Sequence, residues 1–125
     1  ITADDFFIGM LDTASQPEKI ITAVRFPKPQ PAANQKFPNP ASRYAIVGVF
    51  VARTGGGVRL AVTGAGASVF RVPAMEQALA RSFTADAIKD IAIPDANLNS
   101  DIHASAEYRA HLVNVMARRA VAACT

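Results

Sequence analysis

Apolar residues fall into two rhythms along the chain, and the changeover comes near residue 73. Over residues 18–27, "EKIITAVRFP" sets Ile20, Thr22, Val24 and Phe26 against Ile21, Ala23 and Arg25. This period of two, rich in branched side chains, predicts a β-strand. Pro27, Pro29 and Pro31 end it because proline donates nothing to a ladder, and residues 28–39 read as a stiff extended connection with no regular element. "SRYAIVGVFVAR" at 42–53 then places Tyr44, Ile46, Gly48 and Phe50 on one face and Ala45, Val47, Val49 and Val51 on the other. Both faces are apolar, as in a central strand covered on both sides, or covered by helices on one and by another domain on the other. "TGGG" at 54–57 predicts a turn, "VRLAVTGAG" at 58–66 the returning strand of a hairpin, and "SVFRV" at 68–72 a short edge strand.

From Pro73 the period is helical. Proline suits the first turn of a helix, and Met75, Ala78 and Leu79 share a face of "PAMEQALARS". A second helix is expected over 84–92, capped by Thr84, with Ala87, Ile88 and Ile91 as its apolar stripe and Pro94 as its stop. The last, over 105–123, has Ser105 as N-cap and a stripe of Tyr108, Leu112, Val115, Met116 and Ala120. The opening residues predict a helical turn capped by Thr2, with Asp4 and Asp5 in its first turn. Strands first and helices afterwards predict an α+β fold, an antiparallel sheet of three to four strands with about three helices packed on one face.

A chain of 125 residues, half of them hydrophobic, is long enough for one core, and residues 1–125 are read as one domain. The net charge of +3 is spread out, with no basic run interleaved with aromatics, which argues against a nucleic-acid surface. No apolar stretch reaches the length needed to span a bilayer, so no membrane partner is expected. Cys124 is the single cysteine and has no internal partner, which fits a reducing, cytoplasmic setting. The chain opens on Ile1, which raises the expectation of a piece of a longer protein.

Four patterns invite chemistry. "GAGASV" at 64–69, with Asp86 about 20 residues on, suggests a dinucleotide fingerprint. Its third glycine is missing and Val72-Pro73 intervenes before a helix starts, so the amides that hold a pyrophosphate would not be in position, and strand-end crowding explains the glycines better. His103, Glu107 and His111 have helical metal-ligand spacing, but His103 precedes the helix and the set reads as ordinary surface polarity; no metal site is assigned. Cys124, close to a terminus expected to fray, has no base in any signature, and no catalytic residue is assigned. Lys36 and Arg43 flank the central strand, where a fixed cation would meet an anion.

Taken together, "ADDFFIGMLDT" at 3–13, "EKIITAVRFP" at 18–27, "KFPNPASRYAIVGVFVA" at 36–52 and "SDIHASAEYRAHLVNVMARRAV" at 100–121 resemble one family across nearly the whole chain. It is the C-terminal domain of the FAD-binding medium subunit of molybdenum hydroxylases, which include carbon monoxide, xanthine and aldehyde dehydrogenases. The resemblance implies an oxidoreductase component that does not turn over by itself. It implies an upstream FAD-binding domain that holds most of the flavin site. It also implies two partner subunits, a large one with the molybdenum cofactor and a small one with 2Fe-2S clusters, from which electrons pass to FAD. Lys36, eight residues ahead of Tyr44-Ala45, matches a lysine that reaches the flavin neighbourhood in some members. Arg43 stands where several relatives carry an acid. The alternative from another class is a stand-alone protein-interaction module with no redox role. Glycine-rich flavin loops upstream of Ile1 would separate the two.

Overall fold

The computed structural model describes residues 1–28 and 31–124. Its elements are α1 (Ala3–Phe6), β1 (Phe7–Gly9), β2 (Asp12–Thr13), β3 (Ala32–Pro38), β4 (Ala45–Thr54), β5 (Gly57–Thr63), β6 (Phe70–Arg71), α2 (Pro73–Arg81), a 3-10 turn (Ala85–Ile88) and α3 (Ala106–Ala123). β3-β4-β5-β6 form an antiparallel meander, and β1-β2 a separate small hairpin. α2, the 3-10 turn and α3 cover one face of the meander. The α+β architecture expected from the two rhythms is the one observed.

β4 is the centre of the core because its alternate valines all point to the helices: Val47, Val49 and Val51 are fully buried, as are Leu60 and Val62 across the ladder on β5. α2 returns Met75 and Leu79 and the 3-10 turn adds Ile88. α3 packs Leu112, Val113, Met116, Ala117 and Ala120 against the same layer. The opposite face of the sheet carries no helix, and Phe50 is 45% exposed there. Proline at the start of α2 and the Ser105 hydroxyl, which accepts from the Tyr108 amide at 3.2 Å, begin the helices as expected.

Four local expectations are corrected. Residues 18–27 form no strand: from residue 19 onward they lie outside any ladder, with Ile20 and Phe26 among the most exposed apolar residues. Strand propensity describes a surface that fits a sheet, and this segment has no neighbouring strand to pair with. Conversely, residues 28–39 contain β3, paired with β4 from Ala32↔Ala52 to Pro38↔Ala45. The prolines misled because β3 is an edge strand, where missing donors at its ends cost nothing; Pro29 and Gln30 of that expectation lie outside the described residues. The helix expected over 84–92 shrinks to a single 3-10 turn, although the Thr84 cap is real and accepts from the Ala87 amide. In α3 the buried stripe is turned by one position, so that Arg109 is buried and Tyr108 is 43% exposed.

Candidate functional site

The β3–β4 connection builds a rim at one end of the sheet. Asn39, nearly buried, organises it: its side-chain oxygen accepts from the Ala41 and Ser42 amides at 2.9 and 3.1 Å. Its own amide donates to the Tyr44 carbonyl at 2.7 Å and its carbonyl accepts from the Arg43 amide at 2.9 Å. Such Asx turns are what asparagine followed by proline favours. Arg43 closes the loop in the left-handed region, with φ of 64°. Its carbonyl thereby faces Lys36, whose Nζ donates to it at 3.3 Å.

Lys36 lies in a cross-strand row with Gly48 and Thr63 on the helix-free face. A Cβ at Gly48 would sit 2.7 Å from the Thr63 hydroxyl and 3.8 Å from the Lys36 Cβ, so glycine leaves a flat floor beside the lysine stem. Among the described residues no carboxylate lies within ion-pairing distance of the Lys36 ammonium. Arg43 is exposed and contributes backbone only, while Tyr44 stands at the same rim with 80% of its surface in solvent.

Behind the rim, Arg109 fastens three segments together. One guanidinium nitrogen donates to the Ile46 carbonyl at 2.7 Å and the Gly64 carbonyl at 3.1 Å, while the other meets Asp101 at 2.7 Å. Its Nε has no partner among the described residues. Asp101 also accepts from the His103 and Ala104 amides; the His103 amide foremost, helped by the Ala104 amide and Arg109, outweighs the opposing effect of burial and holds its carboxyl below the usual carboxylate range. Gly64, at φ 77°, admits this close approach: a Cβ there would lie 2.4 Å from the Ala45 carbonyl oxygen. The glycines of "GAGASV" thus do relieve crowding at a strand end. Asn39, Tyr44, Asp101, His103 and Arg109 line a polar cleft of about 220 Å³ at this end.

The expected chemistry-bearing residues separate. His103 is exposed in the loop before α3, and His111 stacks on Tyr108 with centroids 6.5 Å apart. The described residues hold no group of His, Cys, Asp or Glu arranged for a metal ion. Cys124 is buried rather than frayed, and burial pushes its thiol up, away from nucleophilic thiolate. The residues missed from the sequence are Arg109, Asp101 and the Arg71–Glu76 pair. Glu76, buried, accepts from the Leu60 amide at 2.8 Å where the short β6 leaves β5 unpaired, and Arg71 bridges Glu76 to Asp4. A signal for Arg109 was available: it sits in register with Leu112 and Met116, a charge inside an apolar stripe.

The geometry defines an α+β domain, a helix-backed antiparallel sheet with an organised rim at one end. Its family is identifiable. Residues 32–124 match the CO dehydrogenase flavoprotein C-terminal domain model, and the chain belongs to that family. It is 34% identical, over 131 aligned residues, to the nicotine 6-hydroxylase medium subunit of Paenarthrobacter nicotinovorans, covering 97% of this chain and 46% of that protein. Reconstituted CO dehydrogenase from Oligotropha carboxidovorans superposes with a TM-score of 0.80 at 25% identity, over 99% of this chain and 48% of the other. CO dehydrogenase from Hydrogenophaga pseudoflava, in a form lacking the Mo-pyranopterin moiety, gives 0.74 at 26%, over 97% and 46%. The chain spans about half the length of these relatives.

Proposed function

We propose that this chain is the C-terminal domain of a FAD-containing medium subunit in a molybdenum hydroxylase-type oxidoreductase. In this reading the unit packs against the flavin-holding part of the subunit and supports electron transfer into FAD from the 2Fe-2S clusters of a small subunit. A large subunit carries the molybdenum cofactor and selects the substrate, and the complex works in the cytoplasm. The observation that carries the reading is the alignment of nearly the whole chain with a medium subunit twice its length. No helix among the described residues is long and apolar enough to cross a membrane.

The residues present fit a one-sided contribution to a flavin site. Lys36 supplies an exposed ammonium with no competing carboxylate among the described residues, held by the Arg43 carbonyl at the rim. Among the described residues no glycine turn leads into a helix N-terminus, since Val72-Pro73 separates Gly66 from α2, and in this reading phosphate binding falls to the rest of the subunit. FAD, when bound, stores and releases electrons one or two at a time. Lys36 is the residue of this domain that would reach the bound flavin, and its fixed positive charge would favour the more negatively charged reduced state. In this reading the domain does not turn over by itself.

The test is Lys36→Met in the intact subunit. Loss of one partly solvated charge corresponds to roughly 1.4 kcal/mol, or about 30 mV lower for a two-electron couple. Spectroelectrochemistry and FAD titration read both the potential and the affinity. If neither moves, Lys36 is not part of the flavin site; if the intact subunit carries no flavin at all, the interaction-module alternative takes its place.

A further inference from the structure

Arg43 stands in the left-handed region, at φ 64°, where glycine sits freely and any residue with a Cβ is strained. Such a residue persists only where its surroundings over-determine it, and strain of this kind gathers at functional sites. Here the surroundings are the β3–β4 connection. The Arg43 amide donates to the Asn39 carbonyl at 2.9 Å, and the Asn39 amide donates to the carbonyl of the next residue, Tyr44, at 2.7 Å. The Asn39 side chain, holding the Ala41 and Ser42 amides, fixes the turn that leads in. The arginine side chain explains none of this. It is exposed, and among the described residues its guanidinium enters no ion pair.

What the strained turn yields is a carbonyl. Among the described residues the Arg43 oxygen has one partner, the Lys36 ammonium at 3.3 Å. The chain holds its other fixed cations differently. Arg71 meets Asp4 and Glu76, and Arg109 meets Asp101, so each is fastened by carboxylates that offset its charge. A carbonyl fastens an ammonium by its dipole alone and leaves the unit charge in place. Lysine also has a flexible four-carbon stem, so an unfastened ammonium spreads its charge over a wide volume. Lys36 is therefore both tethered and, among the described residues, uncompensated.

We propose that Arg43 is a positioning residue for Lys36 and acts through its backbone. Its left-handed turn presents the carbonyl that fixes the ammonium at the rim without neutralising it, and its own guanidinium takes no part. The assignment rests on the medium-subunit reading for the destination of that charge, the flavin, but not for the positioning itself.

Two variants of the intact subunit separate backbone from charge. Arg43→Gly and Arg43→Val remove the same guanidinium, but glycine keeps the left-handed turn and a β-branched residue resists it. Two readouts are taken beside Lys36→Met: the FAD midpoint potential, and the order of the Lys36 Cε methylene by NMR relaxation. In the native subunit and in Arg43→Gly that methylene should move with about half the amplitude of the one in exposed Lys89, and in Arg43→Val the two should match. Arg43→Val should reproduce about half or more of the Lys36→Met shift in potential, Arg43→Gly almost none of it. Valine added to the Lys36→Met subunit should change nothing further. A glycine variant that shifts the potential as far as the valine variant overturns the proposal, since charge is then what matters. So does a valine variant in which Lys36 stays as ordered as in the native subunit. If the valine variant does not fold, the glycine variant still decides, because an altered potential there has the same meaning. If Lys36→Met moves neither potential nor FAD affinity, the flavin role of Lys36 falls instead, and the order of its methylene alone upholds or refutes the positioning.

Discussion

β4 and the segment at residues 19–26 carry the same alternation of branched and aromatic residues, and they meet opposite fates. Val47, Val49 and Val51 have no exposed surface, whereas Ile20 and Phe26 are more than four-fifths exposed. The difference lies in what stands beside them. β4 has β3 and β5 on either edge and α3 packed over it, with α2 over β5. Residues 19–26 pair with no strand among the described residues. A hydrophobic period therefore states what a segment can bury, not whether its own domain provides the burial.

This contrast is open to direct attack. The largest effect belongs to Leu60→Ala, which empties the centre of the helix-covered layer and should cost about 4 kcal/mol in urea unfolding of the 125-residue chain. A loss under about 1 kcal/mol would mean that the layer is not a single packed core. Next comes Arg109→Leu. It leaves the Ile46 and Gly64 carbonyls and the Asp101 carboxylate without their donor, and about 3 kcal/mol should be lost by the same measurement. Smaller and dependent on pH is Asp101→Asn. Because folding lowers the Asp101 carboxyl below its ordinary range, its contribution is complete above that range and is lost as pH falls through the folded value. The native chain should therefore lose more stability than the variant on acidification below the ordinary carboxylate range, seen as converging urea midpoints. At the far end, Ile20→Ala in the 125-residue chain should change stability by less than about 0.5 kcal/mol, a surface value despite its hydrophobicity. A cost above about 2 kcal/mol would place the arm inside this domain and erase the contrast.

Much of the rim was legible in advance. The sequence "PNPASRY" announces a turn, and the strand after it announces burial, so Lys36 and Arg43 are expected beside that strand; that Lys36 lies within a strand of its own, β3, is not. What escaped was the division of labour between them. Arg43 acts through its carbonyl, which depends on a left-handed φ at a residue that rarely adopts it. Arg109 escaped for a different reason. Helical spacing located the stripe to within one residue, and a charged member was passed over in favour of its aromatic neighbour Tyr108. Glu76 was illegible, because nothing near it shows that the β5 amide at Leu60 would need an acceptor from a helix.

By itself the order of residues determined the α+β class, the β4–β5 hairpin, the caps at Thr84 and Ser105, and the turn ahead of β4. These follow from local sterics and from short-range periods that any chain carries with it. Only the tertiary structure decided that β3 is a strand, that residues 19–26 are not one within this fold, and that Arg109 binds two strand ends and a loop. Those outcomes turn on which backbone donors and acceptors find partners far away in sequence, and pairing of that kind is a property of the assembled fold rather than of any single stretch.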